Sequence, residues 1–173
     1  NSNIKTKHSL KPDFSWACIN VDQIVNKFFG KKFILIFPFS SPQLHHKQWP
    51  YYNELIRIIK SKHPEFEIAI APGSNEIEDA KKIGATTIIN DKKALNVMEL
   101  AGLIMKSSFV IANDTGPAHM TAHLGKDGIV LFGYHTTAQK VSIETNKFKA
   151  LSVNILKDLS AENVYSEIKD KLE

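Results

Sequence analysis

Hydrophobic and polar positions along the chain follow two alternating periods. Short runs of apolar and β-branched residues recur at Phe33 to Phe37, Glu67 to Ala71, Thr86 to Ile89, Phe109 to Ala112 and Ile129 to Phe132. Continuous apolar runs of this length suit strands of a parallel sheet, which are buried on both faces. Between them, apolar residues fall three and four apart. Tyr52, Leu55, Ile56 and Ile59 form such a stripe after Pro50, and Val97, Leu100, Ala101 and Ile104 form another. The spacing predicts helices there, over Glu76 to Ile83, from Gly116 to Leu124, and from Ser160 to the end, where Val164, Ile168 and Leu172 recur every fourth residue. Asn96 with Glu99 has the form of a capping box, and Gly84 closes the short helix before it. Val21, Ile24, Val25 and Phe28 predict one further helix ending at Gly30. Strands alternating with helices give an α/β domain, a Rossmann-like parallel sheet with helices on both faces. Residues 1–32 have no clean period and read as a linker or leader, leaving 33–173 as the domain.

Size and charge narrow the reading. The chain has 173 residues and is 43% hydrophobic, enough for one domain with a sizeable core. No apolar run is long enough to span a bilayer, and residues 1–11 lack a signal-peptide pattern. The single Cys18 fits a reducing compartment, so a cytoplasmic location is expected. The formal charge of +4 resides in residues 1–32, which hold six Lys against two Asp, while 33–173 is balanced. A neutral body without a basic cluster argues against nucleic acid as a partner.

In open parallel sheets ligands bind beyond the carboxyl ends of the strands, so the loops after Phe37, Ala71, Ala112 and Phe132 carry the candidate chemistry. Asp114-Thr115-Gly116-Pro117 leaves a strand and enters a helix. Gly116 lets a ligand approach the backbone, Pro117 suits the first helical turn, and the helix start offers an anion site. Thr115 adds a hydroxyl donor, Asp114 can accept from sugar hydroxyls, and His119 lies one turn in, towards the anion. A simple helix cap by Asp114 or Thr115 accounts for the same residues. After the first strand, Ser40, Ser41 and Lys47 can meet phosphate oxygens, and a solvated lysine is the alternative. After the second, Glu76 can chelate ribose hydroxyls or merely complement a helix dipole. His119 and His123 are four apart but lack a third ligand, so no metal is expected. His45, His46 and His135 have no evident role. No Walker or dinucleotide glycine motif occurs.

Taken in order, Phe37-Pro38-Phe39-Ser40-Ser41, Lys47-Gln48-Trp49-Pro50, Gly73 with Glu76, Glu99 to Ile104, Asn113-Asp114-Thr115-Gly116-Pro117-Ala118-His119 and Leu131-Phe132-Gly133 resemble the C-terminal half of the heptosyltransferases of lipopolysaccharide core synthesis, glycosyltransferase family nine. The resemblance implies one half of a two-domain GT-B fold. It also implies metal-independent, inverting transfer of heptose from ADP-heptose to a lipid-linked sugar acceptor, with no cofactor. The protein would then be cytoplasmic, working peripherally at the inner membrane. It places Ser41 and Lys47 at the diphosphate, Glu76 at the ribose, Asp114 at the donor sugar, and Thr115, Gly116 and His119 around the phosphates. The acceptor and the catalytic base, an acidic residue, belong to the family's N-terminal domain, so no catalytic residue is assigned in this chain. The chain departs from the family pattern in three places: Phe39 stands where it has Gly, Gln48 where it has Arg, and Tyr134-His135 where it continues with Pro-Thr. A non-catalytic nucleotide-binding or interaction module of the same fold is the alternative, and a UDP-sugar epimerase-like relative a third reading.

Overall fold

The computed structural model describes residues 13–30 and 32–173. The elements run α1 (Asp22–Phe28), β1 (Phe33–Phe37), α2 (Tyr52–Lys62), β2 (Glu67–Ile70), α3 (Ile77–Ala80), β3 (Thr86–Thr87) and α4 (Val97–Lys106). They continue with β4 (Phe109–Asn113), α5 (Gly116–His123), β5 (Gly128–Phe132), α6 (Ala138–Val141), β6 (Phe148–Ser152) and α7 (Ala161–Ile168). The strands form one sheet in the order β3-β2-β1-β4-β5-β6, and every neighbouring pair is parallel. The chain winds outward from β1 to β3, then crosses back to β4 and winds the other way. The strand order therefore reverses between β1 and β4, where loops diverge and leave a crevice at the carboxyl ends.

Period-two alternation divides the apolar residues between two cores. Ile34, Ile36, Ile68, Ile70, Ile111 and Leu131 face α2 and α7, whose Leu55, Ile56, Ile59, Val164 and Ile168 complete that side. Phe33, Leu35, Phe37, Val110, Val130 and Phe132 face α1, α4 and α5 through Ile24, Leu103, Ile104, Ala118 and Ala122. Each large side chain so buried contributes about 1.5–3 kcal/mol of transfer free energy, which is why β1, β4 and β5 are apolar at nearly every position.

The expected elements are present with adjusted ends. Asn96 caps α4 in a full capping box with Glu99, and Ser160 caps α7 by accepting from Asn163 N. The helix read over Glu76 to Ile83 is only the single turn of α3, followed by turns that end at Gly84. Its exposed face is held by Lys81–Glu78 and Lys82–Asp79 pairs. A sixth strand, β6, was not expected from the pattern. It is an edge strand, and Lys149 lies exposed between buried Phe148 and half-buried Ala150, so it lacks the apolar run of a central strand.

Residues 1–12 of the leader segment lie outside the described residues. The part that is described packs on the body: Val21, Ile24 and Phe29 join the second core. Ile19 crosses α4 so closely that a Cβ on Gly102 would stand 2.3 Å from the Ile19 carbonyl. Among the described residues, no helix is long and apolar enough to cross a membrane.

Candidate functional site

A cleft of about 490 Å³ opens at the carboxyl ends of β1, β2 and β4. Ser40, Ser41, Lys47, Glu76, Asp114, Thr115, Gly116, Pro117 and His119 all line it, so the structure gathers every candidate residue from three separate loops into one place. Phe39, Leu44, Leu95 and Leu100 give it apolar walls.

The last residue of β4 fixes how the loops meet. Asn113 is fully buried. Its amide donates to the Pro38 carbonyl at 2.6 Å, while its side-chain oxygen accepts from Trp49 N at 3.3 Å and from the Tyr52 hydroxyl at 3.2 Å. One side chain thus ties the end of β4 to the loop after β1 and to the start of α2. Burial pushes the Tyr52 phenol well above its ordinary value, so it stays a donor.

Asp114 follows and is itself buried. Its Oδ2 accepts from Lys47 Nζ at 2.7 Å and meets His135 Nε2 at 3.0 Å. Its Oδ1 lies 3.4 Å from His119 Nε2. Burial alone would raise the carboxyl, but hydrogen bonds from His119, Lys47 and His135 outweigh it and hold the group far below the usual carboxylate range. Asp114 is therefore an anion with several donors around it.

Thr115 occupies the N-cap position of α5 but makes no side-chain capping bond. Its hydroxyl donates instead to the Asn113 carbonyl at 3.3 Å. A Cβ on Gly116 would touch nothing within 4 Å among the described residues, so the space over the helix start is open. The positive end of α5 consequently faces the cleft without a side-chain cap, as an anion-binding terminus does.

Lys47 is carried by the 3-10 turns Pro42–Lys47. Ser40 steadies them by donating to the Leu44 carbonyl at 2.9 Å, and Trp49 anchors their exit through Asn113 and by donating from Nε1 to Leu159 O at 2.7 Å. Ser41 is exposed. Glu76 turns one carboxylate oxygen back to accept from Gly73 N at 2.8 Å. Among the described residues, no group of three or more His, Cys, Asp or Glu is placed to hold a metal ion.

Two residues of this constellation had no assigned part in the sequence. His135 belongs to the loop after β5, which the strand order sets beside β4, and no local pattern marks it. Asn113 did carry a signal: a polar residue closing an otherwise apolar strand needs buried partners. His45 is exposed, and His46 meets the site through ring contacts to Tyr134 and His135.

Chemically, the cleft joins an ammonium, an uncapped helix start and an imidazole to two carboxylates that can accept from hydroxyls. Comparison with known proteins identifies the family. Residues 5–168 match glycosyltransferase family 9 (heptosyltransferase). The lipopolysaccharide core heptosyltransferase OpsX of Haemophilus influenzae is 32% identical over 119 residues, which is 66% of this chain and 33% of that protein. The structure of E. coli heptosyltransferase WaaC with ADP superposes with a TM-score of 0.73 at 19% identity, covering 93% of this chain and 50% of that one. E. coli ADP-heptose lps heptosyltransferase II gives a TM-score of 0.73 at 16% identity, covering 87% and 50%. The chain spans half the length of these structural relatives, and its fold is one half of a GT-B fold. By its sequence from residue 5 to residue 168, the chain belongs to glycosyltransferase family 9, the heptosyltransferases.

Proposed function

We propose that this chain is the donor-binding half of an inverting, metal-independent glycosyltransferase that moves heptose from ADP-heptose to a lipopolysaccharide-type acceptor. The observation that carries this reading is the meeting of Lys47, Asp114 and the uncapped start of α5 in one cleft at the reversal of strand order. Family membership favours this transferase over the epimerase-like reading.

The residues divide the donor into parts. Glu76 takes the ribose hydroxyls, and the apolar walls around Leu95 and Leu100 take the base. The diphosphate lies against the start of α5, with Thr115, Gly116, Pro117 and His119 around it and Ser40, Ser41 and Lys47 opposite. Lys47 has three N–H groups, so the bond to Asp114 leaves others for phosphate oxygens. Asp114, held ionised, accepts from hydroxyls of the sugar. Transfer breaks the bond between the anomeric carbon and the diphosphate oxygen as an acceptor hydroxyl attacks from the opposite face. Negative charge grows on the leaving diphosphate, where Lys47 and the helix dipole stabilise it. The base that takes the acceptor's proton and the lipid-linked acceptor belong to another domain, and the complete protein works in the cytoplasm, peripherally at the inner membrane.

Calorimetric titration of the chain with ADP, UDP, CDP and GDP tests the reading. Saturable binding with ADP preferred supports it. Absence of binding to all four overturns it.

A further inference from the structure

His135 stands outside the roles assigned above. It lies in the loop after β5, where Tyr134 N donates to Asn154 O at 3.1 Å. Its side chain is 5% exposed, stacks on Phe132 at 5.9 Å and meets the edge of His46 at 5.5 Å. Nε2 sits 3.0 Å from Asp114 Oδ2, the oxygen that also accepts from Lys47. An ionised carboxylate only accepts, so Nε2 carries the proton. Nδ1 is buried, and among the described residues no hydrogen-bond partner reaches it; a Cβ on Gly133 would lie 3.6 Å away. A proton on Nδ1 would be a buried donor without an acceptor, which is unfavourable. Burial pushes the imidazole below its ordinary value; Asp114 opposes this, and Lys47 and His46 reinforce it. His135 is thus a neutral donor with one fixed tautomer, clamped by rings and aimed at one carboxylate oxygen.

We propose that His135 is a positioning residue, whose Nε2–H holds the Asp114 carboxylate in the orientation that the sugar of the donor requires. This rests on the assignment of Asp114 to the sugar. Lys47 shares its N–H groups between Asp114 and the diphosphate when the donor binds, whereas the single N–H of His135 is directed at Asp114 Oδ2.

The test compares ADP with ADP-heptose by calorimetry on the 173-residue chain, as wild type, His135→Phe and His135→Gln. Phe keeps a ring on Phe132 and removes the donor, whereas Gln restores an N–H. ADP affinity is expected to stay within about twofold in all three, while ADP-heptose weakens about tenfold in His135→Phe, as for loss of one hydrogen bond to a charged group. His135→Gln is expected to recover most of that loss. Equal weakening of ADP and ADP-heptose, or no recovery with Gln, overturns the positioning role. Wild type that binds ADP but gains nothing from the heptose overturns the Asp114 assignment and this proposal with it, and leaves nucleotide binding standing. If His135→Phe does not fold, imidazole nitrogen NMR of the wild type decides. The Nε2-protonated neutral tautomer, perturbed in Asp114→Asn, supports the role, and the Nδ1-protonated tautomer overturns it.

Discussion

Replacing Asn113 with Asp changes one NH2 group to an oxygen and should be among the most damaging single substitutions in the protein. That group donates to the Pro38 carbonyl across 2.6 Å in a fully buried setting. An ionised Asp would set two acceptors against each other there, so only the protonated carboxyl can rebuild the bond. Keeping an acid with an ordinary pKa of about 3.9 protonated at pH 7 costs about 4 kcal/mol, at 1.36 kcal/mol per pH unit. The sign follows from linkage. The folded-state pKa of the new carboxyl lies above its unfolded value, so the folded state binds more protons, and stability falls as pH rises above about 4. Urea unfolding of wild type and Asn113→Asp at two pH values measures this. The deficit should be about 1 kcal/mol at pH 4.5 and about 4 kcal/mol at pH 7. Taking the difference from wild type cancels the acid sensitivity that Asp114 gives both proteins. A deficit equal at the two pH values, or none, would refute the buried-amide reasoning.

Three further outcomes are expected. Asp114 is held well below the usual carboxylate range, so its contribution is present above about pH 4 and fades as pH falls towards its folded-state value; Asp114→Asn should lose about 2 kcal/mol at pH 7 and show a flatter acid limb in unfolding scans. Lys47→Met removes the ammonium from both Asp114 and the diphosphate, and calorimetry should show ADP binding weakened about tenfold or more, with a smaller dependence on salt. Gly102→Ala drives a Cβ to 2.3 Å from the Ile19 carbonyl, so thermal unfolding should report a loss of about 1–3 kcal/mol.

The legibility of the fold followed the burial of each element. β1, β4 and β5 lie inside the sheet, so every residue meets a core and the run of apolar letters is unbroken. β6 lies at the edge, where Lys149 can reach water, and its alternation is too short to stand out. The cap at Asn96 was visible because its partner Glu99 lies within three residues. The loops of the cleft were visible for a similar reason: each follows a strand, and parallel strands place their carboxyl ends together. His135 was not visible, because its partner is 21 residues away and the contact exists only once β5 lies beside β4. Lys47 and Asp114, 67 residues apart, are joined by the reversal of strand order, which the run of letters does not state.

The two tryptophans give the protein an optical handle on its own cleft. Trp49 is 2% exposed, and Trp16 is 76% exposed. Their fluorescence should therefore separate, with Trp49 emitting at shorter wavelength and Trp16 carrying nearly all the quenching by a water-soluble quencher. Trp49 lies two residues after Lys47, and its backbone N–H is bound to Asn113. A ligand that shifts the lysine turn should change the blue component alone, without any label being attached.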